Sequence, residues 1–470
     1  MKKFLKFSLG LLIASSLFVS CSDDDNEMPS LSVNNGVVIE NGATVAITAS
    51  ELNVVDTDTE DIDIVYTVTV ATENGIIANV NDVTTAIDQF TQADVAASKI
   101  VYVHNGSQTL TDEFSFSVTD GDNVLTGIFN ISIGEKQISF FYVLNEGSFG
   151  GTGAVTMINR NDELTNNYFA AANGIPLGEL PQSMAVNDDY AFIAVTTGSG
   201  AGYVEVVTKS DFTHHATIDG FSYPREITLV GDKAYVANGN GVTGTYPNQV
   251  KQNNEIYVID LNTMATTGQI SVGAGPEKMV VSNDKLYVAN SGGWSNDDKT
   301  VTVIDTETDQ VIETISVKSC PKDMVVDANG DVWVYCAGVT SYDENWNVVG
   351  IDDAGISKIN TANSEVTSYG LTNLSTSGIK NIAINKAKDV VYFMSDAVYA
   401  MNITDTTLPT SKFIDATFYG IDVNPVSDNL WLCEAADATT AGTVYVYDNA
   451  GTEQKSFTVG YFPNSTIFSY

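Results

Sequence analysis

A short strand motif that recurs along the C-terminal two thirds of the chain restricts its fold more than any other feature. Each copy has an aromatic residue first and two apolar residues next, as in Tyr235–Asn238 and Tyr287–Asn290. Seven copies occur, at residues 142–145, 192–195, 235–238, 287–290, 333–336, 392–395 and 431–434. Further strand-like runs follow many of the copies, and four strands at a spacing of 39 to 59 residues are typical of a β-propeller blade.

A second strand precedes every copy except the first and begins with a signal of its own. This signal is strong at 181–184, 224–227, 276–279 and 321–324, where it starts with proline, and weaker at 379–382 and 418–421. The C-terminal run Pro463–Phe468 resembles the strand that the first copy lacks. Its pairing into the first blade would remove the exposed edges of an open array. We therefore predict an all-β fold in which residues 136–470 form a seven-bladed β-propeller closed by the C-terminal strand.

One stretch of the repeat carries a family resemblance. The run from Gly275 through Tyr287–Asn290 to Val303–Thr306 resembles the YVTN-type (YncE-like) propeller repeat. This resemblance implies the fold, whereas propellers host many activities. The chain also resembles a group of Bacteroidetes surface lipoproteins that includes cobalamin-capturing members working with an outer-membrane transporter. That resemblance implies capture of a corrinoid, which the blade motifs do not establish.

Residues 31–135 read as a separate unit of short alternating strands, which favours a small β-sandwich. Four runs resemble a chondroitin-sulfate-proteoglycan-type, cadherin-like repeat: Leu52–Asp58, Phe90–Val95, Val101–Gly106 and Phe114–Gly121. The resemblance implies a spacer or adhesion module. The acidic run Asp56–Asp63 within it has oxygen ligands suited to Ca²⁺, although a solvated loop is the favoured interpretation.

The first thirty residues have the pattern of a targeting signal followed by a flexible tether. Lys2, Lys3 and Lys6 precede an apolar stretch that ends at Cys21, and this order is typical of a secretory signal. The Cys at the junction resembles a bacterial lipobox, which implies a signal peptide at 1–20 and lipidation of Cys21. The acidic tether at 21–30 resembles a Bacteroidetes surface-export signal. We therefore expect a lipid-anchored protein of the outer membrane that faces the cell exterior.

Composition narrows the function. The chain has 59 acidic residues against 21 Lys plus Arg, a formal net charge of −38, which argues against nucleic acid as a partner. Only three His and four Cys are present, and no Gly-x-Ser-x-Gly motif occurs. We therefore expect no catalysis, no cofactor and no metal centre. A disulfide between Cys320 and Cys336, across a predicted hairpin, is left open.

The candidate binding residues lie in loops that a propeller brings to one face. Aromatic residues there indicate contact with a flat or apolar partner, although part of them are expected to cover strand ends. Basic residues at related positions of four successive inner strands indicate a polar rim around the central channel, unless Glu226, Glu277 and Asp323 neutralise them. The predicted ligand-binding set is Phe149, Tyr223, Arg225, Tyr246, Lys278, Trp294, Lys322, Tyr342, Trp346, Lys380, Tyr419 and Phe462.

Two functions fit these sequence features. In the first, the propeller captures a small molecule, with a corrinoid as the candidate, and delivers it to an outer-membrane transporter. In the second, the protein is a surface adhesin that binds glycan or protein partners, for which the spacer module would also serve.

Overall fold

The computed structural model describes residues 26–107, 109–135, 137–148, 150–197, 201–239, 241–243, 250–252, 254–293, 296–345, 347–372, 381–437 and 439–470. The chain divides into two compact units, Met1–Lys136 and Gln137–Tyr470. The predicted signal peptide at 1–20, Cys21 and half of the predicted tether at 21–30 lie outside the described residues. In the described part of the chain, no helix combines the length and the apolar character that a membrane span requires.

The first unit consists almost entirely of strands. They are β1 (Ser30–Asn34), β2 (Val37–Glu40), β3 (Thr44–Ile47), β4 (Leu52–Val55), β5 (Val65–Val70), β6 (Gly75–Asn79), β7 (Asp82–Ala86), β8 (Gln89–Thr91), β9 (Ile100–His104), β10 (Thr111–Thr119) and β11 (Val124–Gly134), with helix α1 (Gln92–Ala96) after β8. A five-stranded sheet has the order β2-β11-β10-β5-β8, a four-stranded sheet has the order β3-β9-β6-β7, and β1 pairs with β4. The β2–β11 pair is parallel, whereas the β10–β11 and β6–β9 pairs are antiparallel.

The two larger sheets of this unit share one core, because apolar residues alternate along their strands. In β10, Phe114, Phe116 and Val118 are buried, and the residues between them are more exposed. Tyr102 of β9 and Phe129 of β11 belong to the same buried cluster. This arrangement confirms the predicted β-sandwich.

Two polar features of the first unit support its loops. His104 is buried, and its Nδ1 accepts hydrogen bonds from the backbone N–H groups of Gly42 (2.8 Å) and Gly106 (3.1 Å). In the acidic run, Oδ1 of Asp56 accepts from the backbone N–H groups of Asp58 and Thr59, both at 3.0 Å. Among the residues that the structure describes, no group of three or more His, Cys, Asp or Glu side chains could hold a metal ion.

The second unit is a succession of small antiparallel sheets. Its elements are β12 (Phe140–Asn145), β13 (Ala154–Asn159), β14 (Leu164–Thr165), α2 (Tyr168–Asn173), β15 (Pro181–Val186), β16 (Tyr190–Thr196), β17 (Gly202–Thr208), β18 (His214–Phe221), β19 (Pro224–Val230), β20 (Lys233–Asn238), β21 (Gly241–Thr243), β22 (Val250–Gln252), β23 (Glu255–Asp260), β24 (Ala265–Ser271), β25 (Pro276–Ser282), β26 (Lys285–Asn290), β27 (Thr300–Asp305), β28 (Gln310–Ser316), β29 (Pro321–Val326), β30 (Val332–Cys336), β31 (Val339–Tyr342), β32 (Val348–Asp352), β33 (Gly355–Ile359), β34 (Val366–Gly370), β35 (Ile382–Ile384), β36 (Val390–Met394), β37 (Val398–Asn402), β38 (Gly420–Val423), β39 (Leu430–Glu434), β40 (Thr443–Tyr447), β41 (Glu453–Thr458) and β42 (Pro463–Ser469).

The described strands of this unit form seven main sheets in chain order. Their strand orders are β14-β13-β12-β42, β15-β16-β17-β18, β19-β20-β23-β24, β25-β26-β27-β28, β29-β30-β33-β34, β35-β36-β37 and β38-β39-β40-β41. In the first sheet, the inner strand is β42. In each of the other six sheets, the inner strand is the one given first in the strand order.

The inner strands close into a ring. Each packs against the inner strand of the next sheet, β38 packs against β42, and β42 packs against β15. Strand β42 pairs with β12, from Ser469 opposite Phe140 to Pro463 opposite Asn145. The two ends of the unit therefore share one sheet, as the sequence predicts, and the ring has no exposed edge there. These contacts confirm the all-β propeller architecture.

The repeated sequence signals have local physical reasons. The second strand of each sheet lies between two neighbours and is buried along most of its length, as in β26, where Leu286–Asn290 is buried. Proline is tolerated as the first residue of an inner strand. Glycine lies beside that proline in the preceding sheet: a Cβ at Gly442 would lie 2.3 Å from Cδ of Pro463. The motif asparagine supports the loop that enters its own sheet, since Oδ1 of Asn238 accepts from the backbone N–H of Tyr223 at 2.9 Å.

Several details differ from the plain four-strand repeat. The outer strand of the first sheet, β14, has only two residues, and helix α2 follows it. The sixth sheet has three strands among the described residues. The long loops after β20 and β30 contain small hairpins, β21–β22 and β31–β32, where the sequence indicates loops alone.

The structure does not contain the disulfide that the sequence leaves open. Cys320, Cys336 and Cys433 are all free and buried. Pro321, not Cys320, lies opposite Cys336, and successive side chains of a strand point to opposite faces. The Cys320 thiol donates instead to Oδ1 of Asn296 at 3.3 Å. Burial raises the pKa of Cys320 to about 11.

Candidate functional site

The residues at the beginnings of the inner strands surround a small cavity on the axis of the ring. Its volume is about 50 Å³. We call the residues that line it the axial mouth: Gln182, Arg225, Glu226, Glu277, Lys278, Lys322, Asp323 and Asn464. Three residues of the predicted ligand-binding set, Arg225, Lys278 and Lys322, are therefore brought together at one place.

Two of these three cations are neutralised by carboxylates of the neighbouring blade. Nε of Arg225 lies 2.9 Å from Oε2 of Glu277, and Nζ of Lys278 lies 2.6 Å from Oε1 of Glu226. Arg225 also donates to Oε1 of Gln182. Burial by itself lowers the pKa of Arg225, but the charges of Glu277 and Glu146 and the Glu277 hydrogen bond act against it, and the resulting pKa is above its usual value. For Arg225 and Lys278, the ion-pair alternative is correct.

Lys322 differs from the other two cations. It has no ion-pair or hydrogen-bond partner within the described part of the chain, although it lines the same cavity. Its neighbour Asp323 is buried, and Oδ2 of Asp323 accepts from the backbone N–H groups of Asn381 (2.8 Å) and Ile382 (3.1 Å). That carboxylate therefore supports the start of β35.

A half-buried cluster of polar and aromatic groups adjoins the axial mouth. Oε2 of Glu146 accepts from the hydroxyl of Tyr419 at 3.1 Å, and Oε1 accepts from Nδ2 of Asn464 at 3.2 Å. Burial raises the pKa of Glu146, and the Asn464 hydrogen bond and the Arg225 charge offset this only in part. The ring of Phe462 meets the ring of Tyr419 edge-on at 5.8 Å. Tyr419 and Phe462, both predicted site residues, thus lie together and cover strand ends beside the mouth.

The axis contains a second cavity of about 180 Å³ that is continuous in its lining with the first. Lys278 and Asp323 line both cavities. Asp422, on β38, lines the second one, and its Oδ2 accepts from the backbone N–H of Thr466 at 2.7 Å. The cavities at the axis are therefore polar at the mouth and bounded by strand residues further in.

Each of the two units matches the description of a known protein family. The description "Cadherin-like" matches residues 29–133, and "Domain of unknown function (DUF5074)" matches residues 139–469. The chain belongs to the DUF5074 family. The cadherin-like first domain that the sequence predicts is thereby confirmed, whereas the more specific resemblance to cobalamin-capturing lipoproteins stays a prediction.

Individual relatives of this DUF5074 protein match small parts of much longer chains. "Extracellular matrix protein 3" of Lytechinus variegatus is 36% identical over 122 residues, which are 26% of this chain and 4% of that protein. "FRAS1-related extracellular matrix protein 2" of Homo sapiens is 28% identical over 278 residues, which are 57% of this chain and 8% of that protein. The chain thus spans less than a tenth of the length of either relative.

Solved structures share the fold at low sequence identity. A "Quinonprotein alcohol dehydrogenase-like protein" of Bacteroides thetaiotaomicron is 13% identical, with a TM-score of 0.52 over 94% of this chain and 99% of that one. A functionally unknown protein from Desulfotomaculum acetoxidans is 12% identical, with a TM-score of 0.50 over 71% of this chain and 99% of that one. These likenesses show the fold of the DUF5074 protein and nothing of its chemistry.

Of the remaining predicted site residues, the two that the structure describes are not in the axial mouth. Tyr223 is half-buried, and Tyr342, in the β31–β32 hairpin, is 53% exposed. Neither lines the axial cavity. Five other predicted residues lie outside the described residues: Phe149, Tyr246, Trp294, Trp346 and Lys380.

Sequence reasoning missed three residues of the site. Gln182 and Asn464 each follow the first proline of an inner strand, as Arg225 and Lys322 do. An alignment of the inner strands on their first prolines would have found both residues. The position after the proline is the same in each strand, and its side chains reach the axis. Glu146 has no such signal, since it follows a second strand and reaches the mouth only through the fold.

Proposed function

We propose that this protein is a non-catalytic surface-binding protein that captures a small ligand at the axial mouth of its propeller. The supporting observation is Lys322, a cation without a described partner in a mouth whose other two cations are paired. An unpaired cation beside fixed ion pairs favours an anionic or strongly polar group of a ligand. The ion pairs hold the rim in place before the ligand arrives.

The size of the mouth limits how the ligand sits. A cavity of about 50 Å³ holds only one or two water-sized groups. A ligand of cofactor size would therefore insert one polar group and rest its body on the loops around the mouth. The sequence predicts most of the candidate aromatic residues for loops on that face, and one of them, Tyr342, is exposed in the structure.

A corrinoid, with cobalamin as the representative, is the candidate ligand. Corrinoids have a phosphodiester that suits Lys322 and carboxamides that suit the side-chain amides of Gln182 and Asn464. Their flat macrocycle suits exposed aromatic residues. Delivery to an outer-membrane transporter, and anchoring through lipidated Cys21, belong to this proposal and rest on the sequence resemblance.

Calorimetric titration with cyanocobalamin tests the proposal. The protein carries both units and has Cys21 replaced, so that it stays soluble. We expect one binding site per chain and a shift in the corrinoid absorption spectrum. An absence of heat and of a spectral shift would remove the corrinoid.

Adhesion to a glycan or protein partner is the second candidate. The observations that favour it are the cadherin-like description of the first unit and the similarity of the chain to a protein that is named as an extracellular matrix protein. Under this alternative, the first unit alone would retain binding in a glycan and matrix-protein array. Under the capture proposal, the array gives no signal and cyanocobalamin binds.

A further inference from the structure

A third cavity, larger than the two on the axis, lies between the first and the last sheets of the ring. Its volume is about 370 Å³, within the range of small-molecule sites. It shares no residue with the axial mouth. Its lining includes Asn424, which directly follows β38, so it lies at the ends of the inner strands that face away from the mouth.

The cavity is lined by Trp431, a tryptophan with an unused hydrogen-bond donor. Trp431 is only 2% exposed, and its indole N–H has no acceptor among the described residues. Its ring stacks on Phe141 at 4.6 Å and on Phe457 at 5.8 Å. A buried donor without a partner is costly, and it indicates a ligand acceptor where it adjoins a cavity.

The fifth sheet contains an equivalent tryptophan whose indole N–H has an acceptor within the protein. Trp333 has the same strand position as Trp431 and stacks on Tyr369, the counterpart of Phe457. Its indole N–H donates to Oδ2 of Asp327 at 2.9 Å. Nζ of Lys358 lies 3.1 Å from the same oxygen and 5.0 Å from the centre of the Trp333 ring.

At the equivalent positions of the last sheet, neither the carboxylate nor the ammonium is present. Asn424 has the position of Asp327, and its Oδ1 already accepts from the backbone N–H groups of Val426 (2.8 Å) and Ser427 (2.9 Å). Val446 lies opposite Trp431, where Lys358 lies opposite Trp333. The groups that fill the site in the fifth sheet are therefore replaced by a cavity in the last.

The charges at this cavity favour an anion. Arg160 has no carboxylate partner in the described part of the chain, and its Nε donates to the carbonyl of Ile138 at 2.6 Å. Lys455 pairs with Asp162 at 2.5 Å. Two cations and one carboxylate thus line a cavity in a chain whose formal net charge is −38.

We propose that this cavity binds a small organic carboxylate with a planar, apolar body. The carboxylate accepts the hydrogen bond of the Trp431 indole N–H, as Asp327 does from Trp333, and lies near the charge of Arg160. The body packs against Phe141 and Val446. This site is independent of the ligand proposed for the axial mouth.

Nuclear magnetic resonance of ¹⁵N-labelled tryptophan indoles tests the proposal with benzoate as the probe and uncharged benzamide as its matched control. Millimolar benzoate should shift the Trp431 indole signal, identified by its loss in Trp431→Phe, and leave the Trp333 signal in place. Trp431→Phe keeps the stacking and removes the donor, so it should weaken benzoate binding by about tenfold or more. An unmoved Trp431 signal, or an equal shift with benzamide, would overturn the proposal.

A second variant reproduces the filled site of the fifth sheet. The double substitution Asn424→Asp with Val446→Lys supplies the carboxylate and the ammonium in the same positions as Asp327 and Lys358. It should abolish benzoate binding while the Trp333 signal reports an intact fold. Retained binding in this folded variant would place benzoate elsewhere and would contradict the assigned site.

Discussion

Nε of Arg225 lies 2.9 Å from Oε2 of Glu277, which belongs to the inner strand of the next blade. A second ion pair crosses the same boundary in the opposite sense, from Lys278 to Glu226 at 2.6 Å. The third and fourth blades are therefore joined at the mouth by two crossed pairs that use both cations. Lys322, one blade further along, has no such ion pair with any residue that the structure describes.

Replacing Glu277 by Gln should destabilise the second unit. The substitution keeps the volume but leaves the guanidinium of Arg225, whose side chain is 24% exposed, without its nearest counter-charge. We expect a loss of about 1–3 kcal/mol in the free energy of unfolding. All four tryptophans lie in this unit, so fluorescence-monitored urea unfolding reports on it alone.

The matched control is Asp415→Asn, which removes an exposed partner of Lys412. Exposed pairs of this kind contribute little, and no measurable change is expected. Equal stability of the Glu277→Gln and unaltered proteins would show that the Arg225 pair does not stabilise the mouth.

Glu146 should make stability depend on pH. Burial raises its pKa in the folded state above the ordinary 4.5, so between these two values the folded protein binds more protons than the unfolded chain. The free energy of unfolding therefore falls as pH rises through that window. Glu146→Gln removes this loss, and its stability relative to the unaltered protein should increase with pH there.

Asp353→Asn is the control of opposite sign. The Lys318 hydrogen bond lowers the pKa of Asp353, so its contribution to stability is present above the ordinary value of 3.8 and is lost as pH falls through the lowered one. The same urea titrations should show the two variants diverging in opposite directions. Parallel pH profiles would mean that neither carboxyl is perturbed as described.

The contact between Gly442 and Pro463 predicts a position that tolerates no side chain. A Cβ at Gly442 would lie 2.3 Å from Cδ of Pro463 and 2.7 Å from the carbonyl oxygen of Glu434. Gly442→Ala should lower the free energy of unfolding by about 1–3 kcal/mol. Gly350→Ala, with nothing within 4 Å of its Cβ, is the control, and equal midpoints for the two variants would refute the close contact.

The three buried thiols predict a simple chemical result. Cys320, Cys336 and Cys433 are free in the structure. With Cys21 replaced, Ellman's reagent should find no reactive thiol in the folded protein and three in denaturant, because burial makes the thiols inaccessible to the reagent. A count of one in denaturant would mean that two of them form a disulfide.

The propeller could be predicted because its signals are local and repeated. The aromatic strand motif and the prolines of the inner strands occur in every strong blade, and Pro463–Phe468 supplied the strand that the first blade lacked. The hairpins β21–β22 and β31–β32 have no such repetition, and their short strands depend on the blades that hold their ends. Helix α2, which follows the short outer strand β14, also lacks a repeated signal, and its place depends on tertiary packing, because its Phe169 is buried in a cluster with Leu144 and Phe212.

The candidate site could be predicted only in part. Position in the repeat identified Arg225, Lys278 and Lys322 as residues of the axis, because equivalent positions of a ring converge. It could not say which cations are paired, since Arg225 and Glu277 are 52 residues apart and their contact depends on side-chain reach across two blades. At the third cavity, Asn424 and Val446 occupy the positions that Asp327 and Lys358 have in the fifth sheet. This difference can be recognised only when the paired strands of the two sheets are compared.

The central claim, that the axial mouth captures the ligand through Lys322, is tested most directly by cyanocobalamin titration of Lys322→Gln beside Lys388→Gln. Lys388 is exposed in the hairpin between β35 and β36, at the far end of the inner strands, and its substitution changes the charge equally. We expect Lys322→Gln to weaken binding by about tenfold or more and Lys388→Gln to bind like the unaltered protein. Equal affinities for the two variants, or no binding by the unaltered protein, would contradict it.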